Sequence, residues 1–145
     1  EHPYLVHLDE VYATLDQFDL ADGPLGPASR LHDVLEDTSV TGACLARFFG
    51  HEVAALVEAV TKAKGPRRTT VAASNAKIVE ACRLRGDDLA ATLKVANRLC
   101  NARRSKEDRP DLFAMYQGEQ AAFVAALQGL GDSRLWAMLT TVFAA

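Results

Sequence analysis

Apolar residues in this chain recur at spacings of three and four, and no segment alternates apolar with polar side chains between turn signals as a half-buried strand would. Leu5, Leu8, Tyr12, Leu15 and Phe18 make the first such series, with Pro3 in its opening turn, where a missing N–H costs nothing. Asp22-Gly23-Pro24-Leu25-Gly26-Pro27 breaks that helix, and a shorter one is expected from Ser29 to about Glu36. Thr41 is placed to cap a helix through Leu45 and Phe48 that stops near Gly50, and Val53, Leu56, Val57 and Val60 mark the next. Thr70 to Arg85 reads as a helix closed by Gly86, and Asp87-Asp88 opens one whose apolar side is Leu89, Leu93, Ala96 and Leu99. Pro110 starts a helix through Phe113, Tyr116, Phe123 and Leu127, and Asp132-Ser133 starts a last one with Leu135, Trp136, Leu139 and Phe143. The pattern predicts an all-α, compact bundle of about seven or eight helices in one domain, residues 1–145.

A chain of 145 residues can bury a core without disulfides or a structural metal, so metal-ligating residues here are expected to serve function. No apolar run approaches the roughly 20 residues that crossing a membrane needs. The net charge is −3 and the basic residues do not gather into one long run, which argues against nucleic acid as the main partner and leaves room for a small anion. Cys44, Cys82 and Cys100 are odd in number, widely spaced and without a CxxC pair. They suit reduced thiols in a cytoplasmic protein, with Cys44 and Cys82 read as small buried hydrophobes. No signal-peptide pattern opens the chain, and Glu1 is expected to be a trimmed or truncated end.

The chemistry concentrates in Leu31-His32-Asp33-Val34-Leu35-Glu36-Asp37-Thr38. An adjacent His and Asp can ligate one divalent metal, and acids one helical turn later can handle protons. On one continuous helix His32 and Glu36 would share a side, as would Asp33 and Asp37. Further ligands must come from other helices, and His7 and Asn97 are the polar candidates set within apolar patterns. Lys62-Ala63-Lys64-Gly65-Pro66-Arg67-Arg68 carries the densest positive charge, either as a solvated connector or as a holder of phosphates beside a metal.

Three segments resemble, in order, the RelA/SpoT-type branch of the HD-domain phosphohydrolases: Pro3 to His7, Leu31 to Thr38, and Leu93 to Arg103. Phe49 to Val57 with Val60-Thr61-Lys62 extends the likeness, and Met115 to Glu119 with Phe123 resembles the tail of small single-domain members. The resemblance implies a helical fold that binds one manganese-like ion and hydrolyses a phosphate or pyrophosphate from a nucleotide, with ppGpp-like alarmones as the substrate class. Matched by position, it makes His7, His32, Asp33 and Asn97 the metal set, Glu36 and Asp37 the acid/base and water-orienting pair, and Asn101 a nucleotide contact. Lys62 and Lys64 are its phosphate candidates.

Position 97 departs from the pattern, since the family reads Ala-Asp-Arg where this chain has Ala96-Asn97-Arg98. An amide oxygen can ligate a hard cation but brings no negative charge, which weakens the hold on the ion and on its water. Three readings follow: an enzyme working with a weaker metal, a substitution that disables one, or a domain that binds a nucleotide as sensor or interaction module without cleaving it. Cys100 also stands where longer members often carry His. A structural helical protein whose polar residues are surface or satisfied core groups is the remaining alternative, and a structure with His7, His32 and Asp33 far apart would support it.

Overall fold

A computed structural model describes residues 3–62 and 70–144. Among these there are nine helical segments and no strand: α1 Pro3–Asp16, α2 Leu25–Leu31, α3 Val34–Asp37, α4 Gly42–Phe49, α5 His51–Val60, α6 Val71–Arg85, α7 Leu89–Asp108, α8 Pro110–Leu127 and α9 Ser133–Phe143. The all-α architecture is as expected, and the caps are largely those the sequence signals. Thr41 Oγ1 accepts from the Cys44 N–H, Thr70 Oγ1 from the Ala73 N–H, and Gly86 closes α6 in the left-handed conformation at φ 75°. Among the described residues, no helix is long and apolar enough to cross a membrane.

Helix α7 is the central post. Ala90, Ala91, Leu93, Val95, Ala96, Leu99 and Ala102 on it are fully buried, and α1, α2, α5, α6, α8 and α9 all pack against it. Its alanines let neighbours approach closely on several sides, while Leu93 and Leu99 fill the larger gaps. Polar residues on this helix are therefore carried into the interior by its packing.

Three expectations are corrected. The helix read from Ser29 to Glu36 is two pieces, because the chain turns at His32-Asp33, with Asp33 in the bridge region at φ −103° and ψ −1°. The proline-rich breaker also ends earlier than its composition suggests: α2 starts at Leu25 with Pro24 as N-cap, and Pro27 sits in the first turn, where no N–H is needed. Cys44 is exposed, because Leu45 alone anchors α4 in the core; Cys82 and Cys100 are buried. On α1 the buried face runs through Leu8, Val11 and Leu15, and Leu5 is 56% exposed.

Helix α2 is seated by Gly26, where a Cβ would run into the Ala21 backbone carbonyl oxygen. Gly26→Ala is expected to lose about 1–3 kcal/mol in chemical denaturation, since a backbone atom cannot step aside as a side chain can. An unchanged midpoint would show that the α1–α2 turn relaxes freely.

Candidate metal centre and anion cavity

The turn between α2 and α3 sets the metal candidates. His32 is buried, and its Nδ1–H donates to the Ser29 carbonyl at 2.6 Å. In the neutral ring this leaves the Nε2 lone pair facing inward, the tautomer control that ligating histidines use. Nε2 lies 3.2 Å from Asp33 Oδ2 without a well-aligned hydrogen bond. From α1, His7 comes edge-on to His32 with ring centroids 5.5 Å apart. One ligand atom from each of His7, His32 and Asp33 lies within 4.8 Å of the others. The three groups therefore do not lie far apart. Two imidazoles and a carboxylate suit a first-row divalent ion, and the orphaned Nε2 is the buried atom such an ion would satisfy.

The charges of the three are interlocked. Burial works against charging His32, but the Asp33 carboxylate and the Ser29 carbonyl outweigh it, and its pKa lies above the ordinary 6.5. Burial likewise opposes ionising Asp33, yet the His32 beside it holds its carboxyl below the usual range. His7 is shifted down, first by burial and then by His32, against the opposing pull of Asn97 and Asp33.

Asn97 on α7 completes this end. Its Oδ1 lies 2.8 Å from His7 Nε2, an arrangement in which the ring N–H donates to the amide oxygen. Asn97 therefore engages a ring nitrogen of His7 that a metal could use.

These groups open onto a cavity of about 470 Å³. Of the other residues singled out in the sequence, Glu36, Lys62 and Asn101 line it. Glu36 Oε1 accepts the Lys62 backbone N–H at 2.5 Å, tying α3 to the end of α5. Asp37 is exposed and does not line the cavity, because α3 is a single turn with no buried residue. Lys64 lies outside the described residues.

Sequence reasoning passed over Lys94 and Arg98, which also line the cavity. The signal is in the spacing: Lys94, Asn97 and Asn101 form the polar side of this helix in the sequence, and Arg98 extends it to i, i+3, i+4, i+7. Lys94 has no ion-pair partner among the described residues. Burial, then Arg98 and Lys62, lower its pKa to about 8 against the pull of Glu36 and Asp33. Arg98 is buried, 3.1 Å from Glu119 Oε1, with its guanidinium 4.8 and 4.6 Å from the ring centres of Tyr116 and Phe123. It is held against these groups, although its Nη1 is buried without an aligned hydrogen bond. Asn75 on α6 lines the cavity too; it is buried and its Oδ1 has no hydrogen-bond partner, a defect costing about 1–3 kcal/mol if nothing fills it.

The family model described as HD domain matches residues 1–122. A GTP pyrophosphokinase of Myxococcus xanthus is 45% identical over 60 residues, covering 41% of this chain and 8% of that relative's length. Among solved structures, a Listeria monocytogenes EGD-e protein is 23% identical with TM-score 0.68, covering 99% of both chains. A metazoan SpoT ortholog, described as hydrolysing ppGpp and as playing a role in starvation responses, is 25% identical with TM-score 0.74, covering 99% of this chain and 81% of its own.

Proposed function

Because this chain belongs to the HD domain family, we propose that it is a metal-dependent phosphohydrolase acting on a phosphorylated nucleotide, with a ppGpp-like alarmone as the favoured substrate. The observation that carries the reading is the meeting of His7, His32 and Asp33 in a cavity whose lining also includes Lys62, Lys94 and Arg98. Metal ligands facing cations is the arrangement a phosphate needs, one group activating and the others neutralising. The likeness to a SpoT ortholog described as hydrolysing ppGpp supports the alarmone, as does the match to part of a GTP pyrophosphokinase.

His7, His32, Asp33 and Asn97 would hold the ion, which we take to be manganese; when bound it supplies a Lewis acid that polarises a phosphoryl oxygen and acidifies water. The Ser29 carbonyl keeps the His32 proton on Nδ1, so Nε2 stays available as a ligand. His7 must give up the hydrogen bond from Nε2 to Asn97 if that nitrogen is to bind, and this exchange sets a cost on loading. Glu36, in the cavity wall, takes the proton of the attacking water and returns it to the leaving oxygen. Asp37 is the outer member of the acid pair, adding negative charge from the solvent side. Lys62 and Lys94 balance the charge that builds on the transferred group, with Lys64 proposed for the same task. Asn101 offers an amide to the nucleotide.

The test is phosphate or pyrophosphate release from a panel of guanosine and adenosine phosphates, with manganese added. The expected result is turnover with ppGpp that a chelator abolishes. One observation favours a second reading: the His7–Asn97 hydrogen bond occupies a ring nitrogen, as suits a domain that binds nucleotide without cleaving it. Metal-independent nucleotide binding with no turnover at any manganese concentration would establish that sensor instead.

A further inference from the structure

We propose that the outer face of α8 seats a second copy of this chain, the two α8 helices packing antiparallel about a two-fold axis. The inference does not depend on the reaction assigned above. Between Asp111 and Asp132 the only charged residue in the sequence is Glu119, and it turns inward to Arg98. On the inner side of α8, Phe123 and Leu127 are fully buried, while Ala114, Gly118, Ala121 and Ala125 on the outer side are exposed. A helix that is apolar on both sides has a second face to cover.

Spacing and residue size point to another helix as the cover. Asp111, Ala114, Gly118, Ala121, Ala125 and Gln128 recur at alternating steps of three and four, the seam along which two helices pack lengthwise. Glycine is a poor choice inside a helix, yet a Cβ at Gly118 would meet nothing within 4 Å, so the chain's own packing gives no reason for it. A side chain missing at that point serves a backbone approaching from outside.

Symmetry then selects a second copy as the occupant. Antiparallel pairing centred between Glu119 and Gln120 sets Gly118 against Ala121, Ala114 against Ala125 and Asp111 against Gln128 across the two-fold, so the seam complements itself. Small residues meet along the middle, where the backbones come close, and a carboxylate meets an amide donor at each end. The flanking Met115, Gln117 and Val124 carry no charge for a like copy to repel. An 18-residue helix is about 27 Å long, too narrow alone for the roughly 800 Å² per partner of a standard interface. The groove between α6 and α8, walled by Ala76, Val79, Ala122 and Ala126, widens the contact. Asn75 in that groove is 3% exposed with its Oδ1 unpartnered, so the single chain leaves this surface unfinished, and closing it traps the water such an acceptor takes. Tyr116 and Glu119 on the same helix line the metal cavity, and the pairing braces that wall.

Sedimentation equilibrium of the full chain tests this. The wild type is expected to dimerise with a Kd on the order of 10 μM, as suits an interface at the small end of the range. Gly118→Leu places a bulky side chain at the crossing point, in open space and with better helix propensity, so the variant folds while its Kd rises by about tenfold or more. Phe48→Ser removes the most exposed aromatic of α4, 74% accessible, and should leave the dimer intact. In a Cys44→Ser background, oxidation should link the double variant Ala114→Cys, Ala125→Cys into a covalent dimer, and neither single variant should link. Within one helix those positions are about 16 Å apart, so the bond can close only across the two-fold. A wild type that stays monomeric at about 1 mM overturns the proposal. So does a dimer that Gly118→Leu leaves unchanged, a dimer that Phe48→Ser dissolves, or linking by Ala114→Cys alone, which would mean parallel pairing.

Discussion

Asn97→Asp is expected to tighten manganese binding by at least tenfold or so and to raise turnover in step, because it doubles the formal negative charge of the ligand set. At present Asp33 is the only carboxylate among His7, His32, Asp33 and Asn97, and the Asn97 amide spends its oxygen on the His7 ring at 2.8 Å. A carboxylate there could still hold His7 and would also attract the ion. The same change should carry a signature in the absence of metal. A second carboxylate beside the partly buried Asp33 is repulsive, so Asn97→Asp should melt below the wild type in chelator and above it in manganese. Calorimetry of manganese binding and paired thermal melts check both halves. If the aspartate variant binds manganese no better than the wild type, position 97 is not part of a metal shell and the metal-dependent mechanism fails.

The second large effect concerns Lys94. Lys94→Met should lower kcat/KM by on the order of a hundredfold, the usual size for losing one preorganised cationic contact to a phosphoryl group. It should also make the protein more stable, which a purely structural lysine would not do. The folded-state pKa of about 8 lies below the unfolded value of 10.5, so the charged form is penalised on folding and stability is lost as pH falls through the folded pKa. At neutral pH, relieving that penalty contributes on the order of 3 kcal/mol. The pH profile separates the two roles. Pyrophosphate affinity of the wild type should fall as pH rises through about 8, where Lys94 loses its charge, and that component should be missing from the methionine variant. A variant with wild-type affinity and an unaltered pH profile would show that Lys94 does not contact the anion.

What could be read without the structure follows from how locally each feature is encoded. Thr41 and Gly86 announce their helix ends because a cap is a matter of three or four adjacent residues, and both signals are met. The meeting of His7 with His32 and Asp33 was legible only through resemblance, since nothing in the spacing of positions 7 and 32 brings two helices together. The turn at His32-Asp33 was not legible, because an apolar frame of Leu31, Val34 and Leu35 fits a continuous helix equally well. That misreading also placed Asp37 on a shared helical side with Asp33, whereas it is exposed. Lys94 and Arg98 were hidden for another reason. Charged side chains on a helix are ordinarily its solvent face, and only the burial of α7 by neighbours distant in sequence turns this stripe inward.

The burial of α7 gives the two halves of the cavity different mechanical characters. Lys94, Asn97, Arg98 and Asn101 ride on an element that cannot move without opening the core, so their positions are as durable as the fold itself. Glu36 and Asp37 ride on α3, one turn with no fully buried residue, held by the half-buried Val34 and Leu35 and by the Glu36–Lys62 hydrogen bond. If the proposed hydrolysis runs here, the wall would hold the anion in place, and the lightly anchored turn is the side of the cavity that can yield without opening the core.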